Sequence, residues 1–273
     1  MLLHRAQGGL GHHAGVNDQV KDAPPHAVAR LRAACLELSP TRPRLDRGEP
    51  RKLRCAGCRL PPGPCACTLR ASVPTRAGMC LVMSEFESLK PSNTGWLVAD
   101  VVPDTQAFAW SRTEVDPALL ALLADPQWQP LVVFPGEFAA PERVVTELPP
   151  DPTRRPLFVL LDGTWAEARK AFRKSPYLDR FPVLSLEPAQ LSRYQLRRSS
   201  HEHHFCTAEV AALCLALAGD GHAAQLLEAW LDVFSDRYLR ARQSVAPNGD
   251  DDLHRRLAQL RDVRAAPRSP PCR

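Results

Sequence analysis

The chain has 273 residues, of which 44% are hydrophobic and 24% are charged, so it can build one substantial core with small appendages. Its formal net charge of +5 attracts polyanions without proving a nucleic-acid partner. The sequence contains no apolar run with the length of a signal peptide or a membrane span. We therefore expect a soluble, cytoplasmic protein that does not bind membranes.

The predicted elements divide the chain into four regions. Residues 1–50 form a mobile extension with one helix, Ala27 to Leu38, and residues 51–70 contain a cysteine cluster. Residues 71–243 form the main domain, and the Pro- and Arg-rich residues 244–273 form a disordered basic tail.

Within the main domain, short apolar runs alternate with segments of helical spacing. Strands are predicted at residues 79–83, 106–110, 131–134, 157–161 and 183–186. Helices are predicted at residues 94–102, 117–124, 165–173, 207–218 and 223–240. Such alternation favours an α/β fold with a largely parallel sheet.

Four of the nine cysteines lie close together, as Cys55, Cys58, Cys65 and Cys67. Four thiolates in two pairs fit the closed tetrahedral shell of a structural zinc ion. The prolines and the glycine between the pairs favour a tight turn that lets the pairs converge. The alternative is a loop with four free thiols, which would be vulnerable to oxidation. We predict a small four-cysteine zinc module without an open coordination position.

A buried strand, Leu157 to Leu161, runs directly into Asp162 and Gly163. Thr164 and Glu167 have the spacing of a capping box, which predicts that a helix begins at Trp165. Because ligands of open α/β sheets gather at the carboxyl ends of the strands, Asp162 is a candidate site residue. The alternative is an aspartate that only bonds the amides of its own turn.

Two basic clusters lie near this turn and could grip the phosphates of an RNA. The clusters comprise Arg169, Lys170, Arg173 and Lys174, and then Arg193, Arg197 and Arg198. Tyr194 adds an aromatic ring to the second cluster, which makes stacking on a base possible. The alternative is that both clusters are solvated surface.

Together, three segments resemble the DTW-domain family. They are the cysteine cluster, the Lys-Pro-Ser-Asn-Thr-Gly segment at residues 90–95 and the Asp-Gly-Thr-Trp segment at residues 162–165. The similarity spans roughly residues 50 to 242. It identifies the four cysteines with the metal cluster of the family, and the chain looks like a bacterial member.

The resemblance implies a tRNA-uridine aminocarboxypropyltransferase related to SPOUT enzymes. Such an enzyme moves the 3-amino-3-carboxypropyl group of S-adenosylmethionine to N3 of a uridine in tRNA, giving acp3U and methylthioadenosine. The implied fold is a SPOUT-like parallel sheet with a C-terminal trefoil knot that forms the S-adenosylmethionine pocket. We expect a monomer that needs no protein partner.

The catalytic candidates are the residues that match the family motif, Asp162, Thr164 and Trp165. Pocket walls are expected, by position, at Pro135, Gly136, Gly163, Thr164 and Leu186. Asp162 would hold the N3 hydrogen of uridine or accept its proton, although a helix N-terminus lowers the pKa of a carboxylate and weakens it as a base. Two alternatives remain: an S-adenosylmethionine-dependent RNA methyltransferase, and a zinc-stabilised RNA-binding module without catalysis.

Overall fold

The computed structural model describes residues 25–38, 53–84, 86–186 and 205–262, and it confirms an α/β fold with a parallel sheet. The strands are β1 (Gly78–Met83), β2 (Thr105–Ala109), β3 (Trp128–Val133), β4 (Val144–Val145), β5 (Arg155–Asp162) and β6 (Val183–Leu184). The helices are α1 (Ala27–Leu38), α2 (Gly95–Val101), α3 (Pro117–Ala124), α4 (Trp165–Arg173), α5 (Thr207–Leu217), α6 (Gly221–Arg242) and α7 (Asp252–Asp262). Among these residues, no helix has the length and apolarity needed to cross a membrane.

The sheet has the strand order β2-β1-β5-β3-β6-β4, and all of its strand pairs are parallel. β5 lies in the interior, between β1 and β3, and its apolar run from Leu157 to Leu161 suits a strand covered on both faces. Asp162 is paired in register with Met83, the last residue of β1. The segments that follow β1 and β5 therefore leave the sheet side by side.

Helices cover both faces of the sheet, and strand alternation divides the core between them. Phe158 and Leu160 pack with α1, α2, α5, α6 and α7 on one face, whereas Leu157 and Val159 pack with α3 and α4 on the other. By this alternation, Asp162 belongs to the face covered by α2 and α5.

The two terminal regions contribute to the core more than their composition indicates. α1 has the predicted bounds, but its Val28 is fully buried in the main core, so this part of residues 1–50 is not a mobile extension. The prediction of a disordered tail is wrong over Asp252–Asp262, which forms α7 and packs on α6. Leucines at positions 253, 257 and 260 make an apolar stripe with helical spacing in a segment that is polar overall. Residues 1–24, 39–52 and 263–273 lie outside the described residues.

Candidate functional site

A cavity of about 710 Å³ opens at the carboxyl ends of the strands. Five of the expected site residues line it, namely Pro135, Gly163, Thr164, Trp165 and Leu186. Gly136 instead packs beside the cavity wall, because its amide donates to Ser185 Oγ at 3.0 Å and a Cβ would lie 2.8 Å from Val144. A pocket therefore lies at the carboxyl edge of the sheet, where the sequence predicts the site.

Asp162 lies behind this cavity and is only 5% exposed. Its chain neighbours, Leu161 and Gly163, line the cavity, while its carboxylate turns towards the start of α2 and of α5. One carboxylate oxygen accepts from Asn93 Nδ2 at 2.8 Å, and the other accepts from the Thr207 hydroxyl. Thr207 also lines the cavity, so this residue lies between the buried carboxylate and the pocket.

The segment at residues 90–95 builds the wall against which this carboxylate rests. The Asn93 side chain is buried, and its Oδ1 accepts from the amide of Trp96 at 3.0 Å, which caps the start of α2. A Cβ on Gly95 would lie 2.6 Å from Asp162 Oδ2, so glycine is required for this close approach. The segment thus orients the Asp162 carboxylate and also begins helix α2.

Burial raises the pKa of Asp162 to about 6, because desolvation penalises the charged carboxylate. The hydrogen bonds from Thr207 and Asn93 oppose this shift, the nearby Glu87 carboxylate adds to it, and the Lys90 ammonium reduces it. Glu87 pairs with Lys90 and also accepts from Asn93 Nδ2 at 3.3 Å. Burial therefore outweighs the expected effect of the helix N-terminus, and Asp162 titrates close to neutral pH.

The predicted capping box at Thr164 is confirmed. Glu167 Oε2 accepts from the Thr164 amide at 2.8 Å and from its hydroxyl at 2.6 Å, and the Glu167 amide donates back to the Thr164 hydroxyl. These bonds hold the turn between β5 and α4 rigid. They also engage the Thr164 hydroxyl in the turn, on the wall of the cavity.

Trp165 contributes a flat wall to the cavity and is 40% exposed. Its ring stacks on Phe134 with centroids 5.4 Å apart and planes 7° apart, and Phe134 stacks in turn on Phe172. On the same side of α4, Ala168 and Phe172 are buried, whereas Trp165 lies at the rim of the cavity. The rim therefore has an aromatic surface of the kind that binds planar groups.

The first basic cluster lies along α4, beside this rim. The Arg169 guanidinium lies over the Phe138 ring at 4.9 Å, and the Lys170 ammonium is 5.6 Å from the Trp110 ring. Arg173 and Lys174 are exposed. The second cluster, Arg193, Arg197 and Arg198, lies outside the described residues.

The four predicted metal ligands converge. The Sγ atoms of Cys55 and Cys67 are 3.4 Å apart, those of Cys58 and Cys65 are 3.7 Å apart, and all four lie within 4.8 Å of one another. Tetrahedral ligands at the zinc–sulfur distance of about 2.3 Å are separated by roughly 3.8 Å. The sulfurs therefore have the spacing that a tetrahedral metal ion requires.

Local backbone geometry brings the two cysteine pairs together. Arg59 adopts a left-handed φ of 64°, and its amide donates to the Cys55 carbonyl at 2.8 Å, which closes the first turn. A Cβ on Gly57 would lie 2.7 Å from Cys67 Sγ. The module is joined to α2 because Trp96 Nε1 donates to the Gly57 carbonyl at 3.0 Å.

Sequence reasoning did not assign Asn93 and Thr207 as partners of Asp162, nor Glu87 and Lys90 as charges near it. Asn93 and Thr207 stand next to helix starts, where capping is an adequate explanation of a polar residue. For Asn93 a signal was present, because it lies in the Lys-Pro-Ser-Asn-Thr-Gly segment that resembles the family.

The fold and the site define a parallel α/β protein with a mostly apolar pocket at the carboxyl edge of the sheet and a separate four-cysteine cluster. The model of the DTW domain matches residues 52–239, and the chain belongs to the DTW family. It is 28% identical over 177 residues to the tRNA-uridine aminocarboxypropyltransferase 2 of Drosophila melanogaster, an alignment that covers 61% of this chain and 67% of that protein. No solved structure matches the chain significantly.

Proposed function

We propose that this protein transfers the 3-amino-3-carboxypropyl group of S-adenosylmethionine to N3 of a uridine in tRNA. The products are acp3U and methylthioadenosine. The proposal is supported by membership of the DTW family, by the similarity to the Drosophila tRNA-uridine aminocarboxypropyltransferase 2, and above all by the buried carboxylate next to Thr207 on the pocket wall. In this reaction the bond from uridine N3 to the γ-carbon forms, the bond from that carbon to sulfur breaks, and N3 loses its proton.

S-adenosylmethionine would occupy the cavity, whose volume falls in the usual range for cofactor-sized ligands. Its walls would come from Pro135, Gly163, Thr164 and Leu186, with Gly136 supporting them from behind. The Trp165 ring offers a planar surface for stacking. The shape of the pocket would also select the carbon that faces the acceptor, since geometry decides which bond of a sulfonium breaks. We further propose that the pocket belongs to a SPOUT-like trefoil knot.

Asp162 would receive the N3 proton through Thr207. The Thr207 hydroxyl donates to Asp162 and can accept from an N3–H group in the cavity, so one proton moves from N3 to the hydroxyl as another moves to the carboxylate. A carboxyl whose pKa is about 6 is a better proton acceptor than an ordinary surface aspartate. Asn93 would hold the carboxylate in place during the transfer.

The cysteine cluster would stabilise the fold, and the basic clusters would bind the RNA. The four cysteines would bind a structural zinc ion, which stabilises the module when bound. The tRNA backbone would contact the α4 residues Arg169, Lys170, Arg173 and Lys174, and also Arg193, Arg197 and Arg198. A set of reduced thiols fits a reducing compartment, in agreement with the expected cytoplasmic location.

The decisive experiment incubates the purified protein with bulk tRNA and S-adenosylmethionine and identifies both products by mass spectrometry. We expect acp3U in the digested tRNA and methylthioadenosine in solution. S-adenosylhomocysteine with a methylated uridine would identify a methyltransferase instead. Binding of tRNA without consumption of S-adenosylmethionine would identify a non-catalytic RNA-binding module.

A matched pair of variants tests the role of Thr207. Thr207→Val removes the hydroxyl at nearly constant volume, and we expect at least about a tenfold loss of transfer because the proton relay is broken. Thr105→Val is the control, since the Thr105 hydroxyl also donates to an acceptor of the same domain, the Val102 carbonyl at 2.7 Å, but at the amino end of β2 and away from the cavity. Equal activity in the two variants would exclude a role for Thr207 in proton transfer.

A further inference from the structure

Arg59 connects the four-cysteine module to the groups that hold Asp162. Its side chain is 3% exposed and lies over the Trp96 ring, with the guanidinium carbon 4.3 Å from the ring centroid. Arg59 Nη1 donates to the Asn93 carbonyl at 2.9 Å and to the Lys90 carbonyl at 3.3 Å. The same residue directly follows Cys58 in the chain and closes the first cysteine turn.

These contacts form a continuous buried path. The main chain of Asn93 is held by Arg59, and the side chain of Asn93 donates to Asp162. A displacement of Arg59 would therefore move the amide that orients the carboxylate. A misplacement of about 1 Å at a supporting residue can reduce a rate by roughly a hundredfold.

The path also carries charge. The guanidinium of Arg59 is a cation at neutral pH, because arginine keeps its proton in proteins, and it acts electrostatically on the carboxylates of Asp100 and Asp162. By reciprocity, this cation favours the charged form of Asp162. Among the described residues, Glu87 and Lys90 also act electrostatically on Asp162, and the thiol of Cys206 lies next to Thr207 in the chain.

We propose that Arg59 is a positioning residue through which the folded four-cysteine module controls the orientation of the Asp162 carboxylate. The catalytic consequence rests on the proposed transfer reaction. The structural consequence, which is the orientation of the carboxylate, does not rest on that reaction. The contacts from Arg59 to Asn93 and from Asn93 to Asp162 exist whatever the pocket binds. The turn of the module that contains Arg59 thus supports the site from outside the pocket.

The test compares Arg59→Met, Arg59→Lys and Arg70→Met in the full zinc-loaded chain. Methionine keeps an unbranched side chain against Trp96 and Phe234 but removes the donors and the charge. Arg70 is the matched control, since it contacts the same module through the Gly57 carbonyl and pairs with Asp100 at 3.2 Å, away from Asp162. Zinc content and thermal unfolding are measured for every variant.

We expect Arg59→Met to lower kcat at least about tenfold with little change in KM for S-adenosylmethionine, as expected for a misplaced catalytic group. Its pH–rate midpoint should move upwards, because removal of the cation raises the pKa of Asp162. Arg59→Lys should recover part of the rate, because an ammonium can still donate to backbone carbonyls. Arg70→Met should leave kcat and the pH–rate midpoint unchanged. Arg59→Met and Arg70→Met should both retain zinc.

Equal kcat and equal pH midpoints in Arg59→Met and Arg70→Met would overturn the proposal and leave Arg59 as a packing residue. If Arg59→Met does not fold, the same comparison between Arg59→Lys and Arg70→Lys decides the question. If the wild-type chain transfers nothing, the proposed function fails separately. In that case, carbon NMR measures the titration of the Asp162 carboxyl group in wild type and in Arg59→Met. Identical titration curves would overturn the proposed coupling between Arg59 and Asp162.

Discussion

The four-cysteine module and the polar cluster around Asp162 both bring chemically reactive groups together, but they are held together in different ways. The module gathers four sulfurs of one kind within 4.8 Å, which an ion can bridge. The cluster combines a carboxylate with an amide and a hydroxyl that donate to it, so its groups satisfy one another. Disruption of the first should therefore cost structure, whereas disruption of the second should cost chemistry.

The largest expected effect is the loss of the four-cysteine module in Cys58→Ser. We expect about one equivalent of zinc in the wild type and much less in this variant. The expected destabilisation is at least about 3 kcal/mol, or roughly 10 °C in Tm, because metal binding and folding of such modules are coupled. Metal analysis and thermal unfolding measure both effects. Cys35→Ser on α1 is the control, and unchanged zinc content in Cys58→Ser would refute the assignment.

The second effect is chemical and concerns Asp162→Asn. The asparagine can still accept from Asn93 and donate to Thr207, so shape and hydrogen bonds persist while the charge is lost. We expect single-turnover transfer to fall by about a hundredfold or more, with Tm at pH 7 unchanged or higher. Transfer within a few-fold of wild type would make Asp162 a structural residue and remove the contrast between the two regions.

A smaller effect is the pH dependence of both rate and stability. Because the pKa of folded Asp162 is about 6, we expect the rate to fall about tenfold per pH unit well below that value. The pKa is raised above its unfolded value near 4, so the folded state binds the proton more tightly. Asp162 therefore disfavours folding increasingly as pH rises from about 4 to 6, and its full cost is present above this window.

Denaturant titrations of wild type and Asp162→Asn at pH 4.5 and 7 measure the contribution of Asp162 to stability. The quantity compared is the difference in the free energy of unfolding between the two proteins. We expect the stability of the variant relative to wild type to be higher at pH 7 than at pH 4.5. A difference that is independent of pH would show that Asp162 has an ordinary pKa and is not desolvated.

The smallest effect concerns neither region but the basic cluster on α4 next to the cavity. Lys170→Gln with Arg173→Gln should reduce the salt dependence of tRNA binding by about two phosphate contacts. S-adenosylmethionine binding should be unaffected. Arg255→Gln with Arg261→Gln on α7, which covers the opposite face of the sheet, is the control. An equal change in both pairs would show that only net charge matters.

Local chemistry determined much of what the sequence predicts correctly. The bounds of α1, α3 and α4 follow from apolar spacing and caps that act within a few residues, and the Thr164 to Glu167 capping box is a local bond pair. The cysteine spacing likewise indicates a metal cluster because its ligands lie within one short loop. The apolar stripe of α7 was equally local, but the polar composition around it obscured it.

Tertiary structure alone decided the surroundings of Asp162. Asn93 and Thr207, which hold the carboxylate, are far from it in the chain, and only the parallel pairing of β1 with β5 and the packing of α2 and α5 bring them together. Desolvation, and with it the raised pKa, is a property of that packed environment rather than of the Asp-Gly-Thr-Trp sequence. The sequence by itself determined that a carboxylate stands at the end of a strand. Burial and long-range contacts, which no local pattern encodes, determined its proton affinity and its route to the pocket.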